Sequence, residues 1–312
     1  MILTVTLNVA IDKAYRVDAL RPGEVMRVRE CSYTAGGKGL NVSKVAKIAG
    51  ADVVATGFVG GHAGAFVEEQ LDEKGIRSDF VHVRGETRSC INVMEEETGR
   101  QSEFLEPGFA VCEQDVERLL SRYDTLLEGA QVVTISGSIP RCCDETIYAR
   151  LILRAAAKGK RVILDTSGRP LEHGIKANPT LIKPNRDEIG ALTGRDLLSR
   201  EEVIASAVGL HKSGVAFVVI SLGRDGALMV CGEGVFHGET PDIPVVNTVG
   251  CGDSMVAAFA VGLERGYEAQ ELLRFALAVS TANAMTMETG FYRTEDLPAL
   301  YDRCSVTRIS GL

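Results

Sequence analysis

Short runs rich in Val and Ile recur along the chain at 2–6, 53–59, 132–136, 162–165, 181–183, 217–221 and 227–230, with helix-length amphipathic segments between most of them. Strands apolar on both sides, separated by helices, predict a mostly parallel sheet covered on both faces, a doubly wound α/β sandwich. A helix over 40–49 gathers Leu40, Val42, Val45, Ala46 and Ala49 mainly on one side and stops at Gly50; a second, over 255–265, stops at Gly266. Residues 12–34 and 88–106 are more polar and alternate in places, as in Ile91-Asn92-Val93-Met94, with Glu96-Glu97-Thr98-Gly99-Arg100 as a turn. They read as strands of a small separate sheet, although the pattern alone suits a pair of surface hairpins equally well. No internal repeat or linker divides the chain, so 1–312 is expected to form a single domain.

The 312 residues, 45% of them apolar, are enough for one large core. A net charge of −8 without any basic run argues against a nucleic-acid partner. The longest apolar stretches, such as 256–263, fall short of the ~20 residues a membrane span needs, and no secretory leader is apparent. A cytoplasmic location with no membrane partner is the expectation. The eight cysteines form no C-x-x-C and the five histidines are scattered, so reduced, mostly buried thiols are expected rather than disulfides or a metal centre.

Two glycine clusters carry candidate chemistry. Ala35-Gly36-Gly37-Lys38-Gly39-Leu40-Asn41-Val42 opens the first helix, where free N–H groups favour an anion or dense hydroxyls; Lys38 adds charge and Asn41 an amide. Its spacing fits neither a Walker A loop nor a dinucleotide fingerprint. Val249-Gly250-Cys251-Gly252-Asp253-Ser254 opens the other helix and places Asp253 among consecutive N–H groups, as a cap or as a base beside an anion cradle. Asn185 and Glu188, three apart, would share a helix face as a cap with a first-turn acid or as partners for a hydrated metal ion. Ser221-Leu222-Gly223-Arg224-Asp225-Gly226 permits a sharp turn near a ligand.

These motifs, in this order from Leu7-Asn8-Val9-Ala10-Ile11-Asp12 to Asn283-Ala284-Met285, resemble the ribokinase-like (phosphofructokinase-B) sugar kinase family over essentially the whole chain. Gly85-Glu86-Thr87-Arg88-Ser89-Cys90 and Phe104-Leu105-Glu106-Pro107-Gly108 resemble its ketohexose-phosphate branch, tagatose-6-phosphate kinases first and 1-phosphofructokinases next. The resemblance implies an ATP- and Mg2+-dependent kinase in which Asp253 is the base and Gly250, Cys251 and Gly252 form the anion hole. Lys183 would reach the transferring phosphoryl group. Asp12, Gly37, Lys38 and Asn41 would hold sugar hydroxyls, and Arg88, with Arg27 and Lys38, the phosphate already on the sugar. Asn185 and Glu188 would organise Mg2+ through water, while Ser221, Gly223, Gly226, Val249, Ser254 and Asn283 would surround the nucleotide. The family also implies a small β-sheet lid over the sugar site, here 12–34 with 88–106, shared in a homodimer. Three positions depart from the pattern: Cys251 replaces Ala or Ser, Arg141-Cys142 replaces Pro-Gly, and Asn247 replaces an Asp associated with a monovalent cation. The last puts potassium dependence in doubt. An unphosphorylated-sugar or nucleoside kinase leaves Arg88 and Arg27 without an anion, and a binding-only sensor leaves Asp253 without a use.

Overall fold

A computed structural model describes residues 1–194 and 199–311. Strand β1 (Ile2–Thr6) leads into lid strands β2 (Ala10–Val17) and β3 (Glu30–Gly36), and α1 (Lys38–Ile48) returns to the body. β4 (Val53–Val59), α2 (Gly61–Glu73) and the short β5 (Arg77–Ser78) and β6 (Val81–His82) precede a second lid pair, β7 (Arg88–Glu95) and β8 (Gln101–Leu105). Helix and strand then alternate through α3 (Glu113–Leu126), β9 (Val132–Ser136), α4 (Ile147–Ala157), β10 (Arg161–Asp165), α5 (Gly168–Ile175) and β11 (Leu181–Ile182). After α6 (Arg186–Thr193) and α7 (Arg200–Lys212) come β12 (Phe217–Ser221), β13 (Ala227–Cys231) and β14 (Gly234–Glu239). Two long helices, α8 (Cys251–Arg265) and α9 (Ala269–Ala284), then α10 (Leu297–Arg303) and β15 (Ser305–Ser310), complete the chain.

The main sheet runs β15-β14-β13-β12-β11-β10-β9-β1-β4-β5. It is parallel from β5 to β12 and antiparallel beyond. Alternate strand residues enter two cores. Ile2, Val132, Ile163 and Val219 face α1, α2, α8 and α9, while Leu3, Val133, Leu164 and Val218 face α3, α4, α5 and α7. Both cores are dry and continuous, as the two-sided apolar runs predict. Among the described residues no helix is long and apolar enough to cross a membrane.

The two polar stretches make one four-stranded sheet ordered β3-β2-β7-β8, not two separate hairpins. β2 pairs with β7 in parallel, and the outer pairs are antiparallel. Helix bounds differ from the periodic reading at their starts: α1 begins at Lys38 and α8 at Cys251, because glycine-rich first turns carry no apolar period. All eight cysteines are free, but fewer are buried than expected. Cys31 lies exposed on a lid strand, Cys112 precedes α3 at the surface, and Cys142 sits exposed in a loop at φ 61°.

Candidate active site

The α1-facing side of the sheet turns polar at the carboxyl ends of three adjacent strands. By register Thr6, Ser136 and Asp165 stand side by side on β1, β9 and β10. All three are buried. Above them lie the starts of α1 and α8, at Gly37 and Gly250, neither capped by a side chain. Gly250 is at φ 82°, and a Cβ there would fall 2.7 Å from Thr289 Cγ2, so this position requires glycine. Uncapped first turns leave N–H groups and dipole for an anion.

Asp253 is the third residue of α8 and 6% exposed. Its carboxylate does not cap its own helix: Oδ2 accepts from Asn41 Nδ2 of α1 at 2.8 Å. Burial pushes its pKa up to about 6; the nearby Asp165 adds to the rise, and Lys38, Asn41 and Lys183 oppose it. The group is thus ionised at neutral pH yet basic enough to take a proton.

Asp165, which the sequence reading passed over, organises the charges around it. Lys183 Nζ lies 3.3 Å from its Oδ1 and Lys38 Nζ 3.6 Å from its Oδ2. Burial disfavours the carboxylate, but the two amines prevail and hold its pKa below the usual value. Lys183 projects past the end of β11 against the first turn of α8, where a Cβ at Gly252 would come 3.3 Å from its Nζ. Lys38, expected among the sugar's ligands, has its amine beside Asp165, which together with Asp253 raises the lysine's pKa.

The sugar-side residues gather at the root of the lid. Asp12 on β2 packs against Gly36 of β3 so tightly that a Cβ there would lie 2.1 Å from its Cγ. Burial raises the Asp12 pKa, opposed by Lys44 and Arg88. Arg88 Nε donates to the Asn8 carbonyl at 3.3 Å and its Nη1 to that of Glu106 at 3.0 Å, while Asn8 Nδ2 donates to Ser138 Oγ at 3.1 Å. Arg141 takes part as well: its Nε donates to Gly108 O at 3.1 Å, so the departure from Pro-Gly pins the adjoining loop. Arg27 is exposed between β2 and β3, and among the described residues no hydrogen bond or ion pair joins it to this cluster.

On the other side, a cleft of about 770 Å3 is lined by Asn185, Ser221, Leu222, Gly223, Leu228 and His237. Gly226 adjoins it, closing the turn between β12 and β13. Asn185 and Glu188 form a reciprocal cap, each side chain accepting from the other's backbone N–H at 2.8 Å. The capping role is therefore met. Among the described residues no group of three or more acidic, His or Cys side chains could hold a metal. A hydrated Mg2+ carried by phosphate oxygens fits such a site; a cage of protein ligands does not.

Two residues expected around the nucleotide, Asn283 and Ser254, are fully buried. Asn283 is wholly buried; its Nδ2 donates to Val249 O at 3.1 Å and its Oδ1 accepts from Ser254 Oγ at 3.0 Å and Gly290 N at 3.1 Å. Ser254 is fully buried with it. Both brace the anion cradle, a role that sequence spacing does not distinguish from contact. Cys251 is accommodated half-buried, its Sγ 3.5 Å from Asn283 Nδ2, and burial raises its thiol pKa. Asn247 joins Val249 N at 3.0 Å to Met287 O at 3.0 Å.

Two uncapped helix starts, two lysines on a buried carboxylate and a buried carboxyl group of near-neutral pKa form an arrangement that suits phosphoryl transfer to an alcohol. Residues 5–295 match the pfkB family carbohydrate kinases, and the chain belongs to that family. Phosphofructokinase-2 from Escherichia coli, solved in complex with potassium, is 30% identical over 96% of this chain and 98% of its own, with a TM-score of 0.92. A possible 1-phosphofructokinase from Thermotoga maritima is 29% identical over 99% of both chains, with a TM-score of 0.90. Ribokinase from Arabidopsis thaliana, 23% identical over 96% of this chain and 98% of its own at a TM-score of 0.78, shares the fold.

Proposed function

We propose that the protein transfers the γ-phosphoryl group of ATP to a free primary hydroxyl of a phosphorylated ketohexose, with tagatose 6-phosphate as the first candidate. The observation that carries the reading is Asp253, buried, with a pKa near 6, on the anion cradle. Asp253 takes the hydroxyl proton as the oxygen attacks, and the first turn of α8, with Lys183, stabilises the charge on the transferring group. Mg2+, carried in by ATP and met by Glu188 and Asn185 through water, would neutralise the phosphate oxygens. Asp12 and Asn41 orient the sugar's hydroxyls. Arg88, a guanidinium at the root of the lid, suits the phosphate already on the substrate. The lid serves two active sites in a homodimer.

The kinship with phosphofructokinases favours a second reading, with fructose 1-phosphate or fructose 6-phosphate as acceptor. A coupled ADP-release assay across tagatose 6-phosphate, both fructose phosphates, ribose and adenosine decides. Turnover of ketohexose phosphates alone is the expected result, and turnover of only the unphosphorylated compounds would overturn the reading.

A further inference from the structure

Lys44 carries chemistry that the proposed reaction leaves unused. A lysine in mid-helix ordinarily keeps its amine in water. This one is 3% exposed, and its Nζ donates to two backbone carbonyls, Ala35 at 3.2 Å and Thr289 at 3.2 Å. Ala35 is the penultimate residue of the lid strand β3, next to Gly36, the residue against which Asp12 packs. Thr289 belongs to the loop after α9, where Gly290 is so close to α1 that a Cβ would lie 3.0 Å from Lys44 Cε. Gly290 N–H donates to Asn283 Oδ1 at 3.1 Å, and Asn283 holds Val249 O at 3.1 Å, just before the anion cradle. A continuous line of contacts therefore runs from the lid strand behind the sugar site to the start of α8.

We propose that Lys44 is a positioning residue that couples the two substrates: a sugar phosphate engaged at Asp12 fixes the Thr289–Gly290 turn and with it the first turn of α8. The proposal rests on the sugar-phosphate kinase reading above. Its physical basis is the charge balance of a buried ammonium, which needs an anion nearby. Burial opposes the charge on Lys44, and Asp12 is the main group restoring it. Glu288, 3.4 Å from Lys74, and Asp253 help, while Lys74 itself works against it. Asp12 in turn faces Lys44, Arg88 and Glu103. A sugar phosphate held at Asp12 constrains Gly36, packed against it, and Ala35 next in the chain, and Lys44, bonded to the Ala35 carbonyl, carries that constraint to Thr289. By linkage a nucleotide resting on the cradle must tighten sugar binding by the same factor.

Calorimetric titration of adenosine 5′-(β,γ-imido)triphosphate with Mg2+, with and without saturating tagatose 6-phosphate or fructose 1-phosphate, measures this coupling. Wild type should show about tenfold tighter nucleotide binding with the sugar phosphate present. Lys44→Met should abolish that gain, leaving each substrate's own Kd within about threefold, and Lys44→Arg should retain it. Undiminished synergy in Lys44→Met, or none in wild type, overturns the proposal. Should Lys44→Met not fold, hydrogen exchange on wild type decides: sugar phosphate alone must slow the amides of 285–291, and slowing confined to the lid refutes the coupling. If no ketohexose phosphate binds wild type, the kinase reading falls and the coupling with it. If one turns over while synergy survives in Lys44→Met, only the coupling falls.

Discussion

Asp253, the proposed base, burdens the fold through the same burial that raises its pKa. Its pKa rises from 3.8 to about 6 on folding, so between those values the folded chain holds a proton that the unfolded chain has released. Stability therefore falls as pH rises through that window, by on the order of 2–3 kcal/mol by pH 7. Asp253→Asn removes the charge and keeps the size. It is expected to lower kcat by about 10²–10⁴ while raising the melting temperature at pH 7 and leaving it unchanged near pH 4. Nucleotide affinity should stay within a few-fold of wild type. Near-wild-type turnover in the folded variant would remove Asp253 as the base. The same rise sets the direction of the pH profile: kcat at saturation should fall with unit slope toward acid pH as Asp253 protonates. Phosphate monoesters also titrate near pH 6, which is why saturating kcat rather than KM is the measure. A flat kcat down to pH 5 would place the limiting proton elsewhere.

The lid strands and the two glycine-led helices bring separate chemistry to one place. Arg88 opens β7, so Arg88→Ala should raise KM for the sugar phosphate roughly 10–150-fold, the equivalent of about 1.5–3 kcal/mol, with little change for ATP. Equal losses for both substrates would place Arg88 elsewhere. Gly36→Ala drives a methyl group into the Asp12 carboxylate, and it too should raise the sugar KM with ATP unaffected. The fold was readable because its signals are local: two-sided apolar strands, helix stops at glycine and uncapped glycine-led helix starts. Asp253, Lys183 and Asn41 stood in such motifs. Asp165 did not, since an acid ending Val162-Ile163-Leu164 looks like an ordinary strand end. Lys44 gives no such signal, since a lysine in an amphipathic helix is ordinarily solvated, and its burial comes from the packing of β3 and of the loop after α9 onto α1. Asn283 stood out by its place in the chain order, but that order does not show that the side chain is wholly buried and bonded to Val249, Ser254 and Gly290.

At the scale of the molecule, the lid carries several large apolar side chains at its surface. Val25 is 94% exposed, Leu105 64%, Phe104 54% and Tyr33 47%. Tyr33, Lys13, Ile91 and Phe104 lie in one register row across the four strands. Phe104→Asp should shift the proposed dimer toward monomer in sedimentation velocity at micromolar concentration while leaving the circular dichroism of the body intact. A wild type that sediments as an active monomer would count against the shared lid. The parallel pairing of β2 with β7 bears on how the molecule forms. A parallel pair cannot close through a tight turn, and the segment joining these two contains β3 of the lid and α1, β4, α2, β5 and β6 of the main body. The lid is therefore no autonomous unit: β2 can meet β7 only once β4 and α2 have docked, which makes it a late-assembling part of the chain. In refolding from urea, backbone ellipticity should recover before sugar-phosphate binding does, and any fragment that separates residues 10–36 from 88–105 should lose the sugar site while keeping much of its helix content.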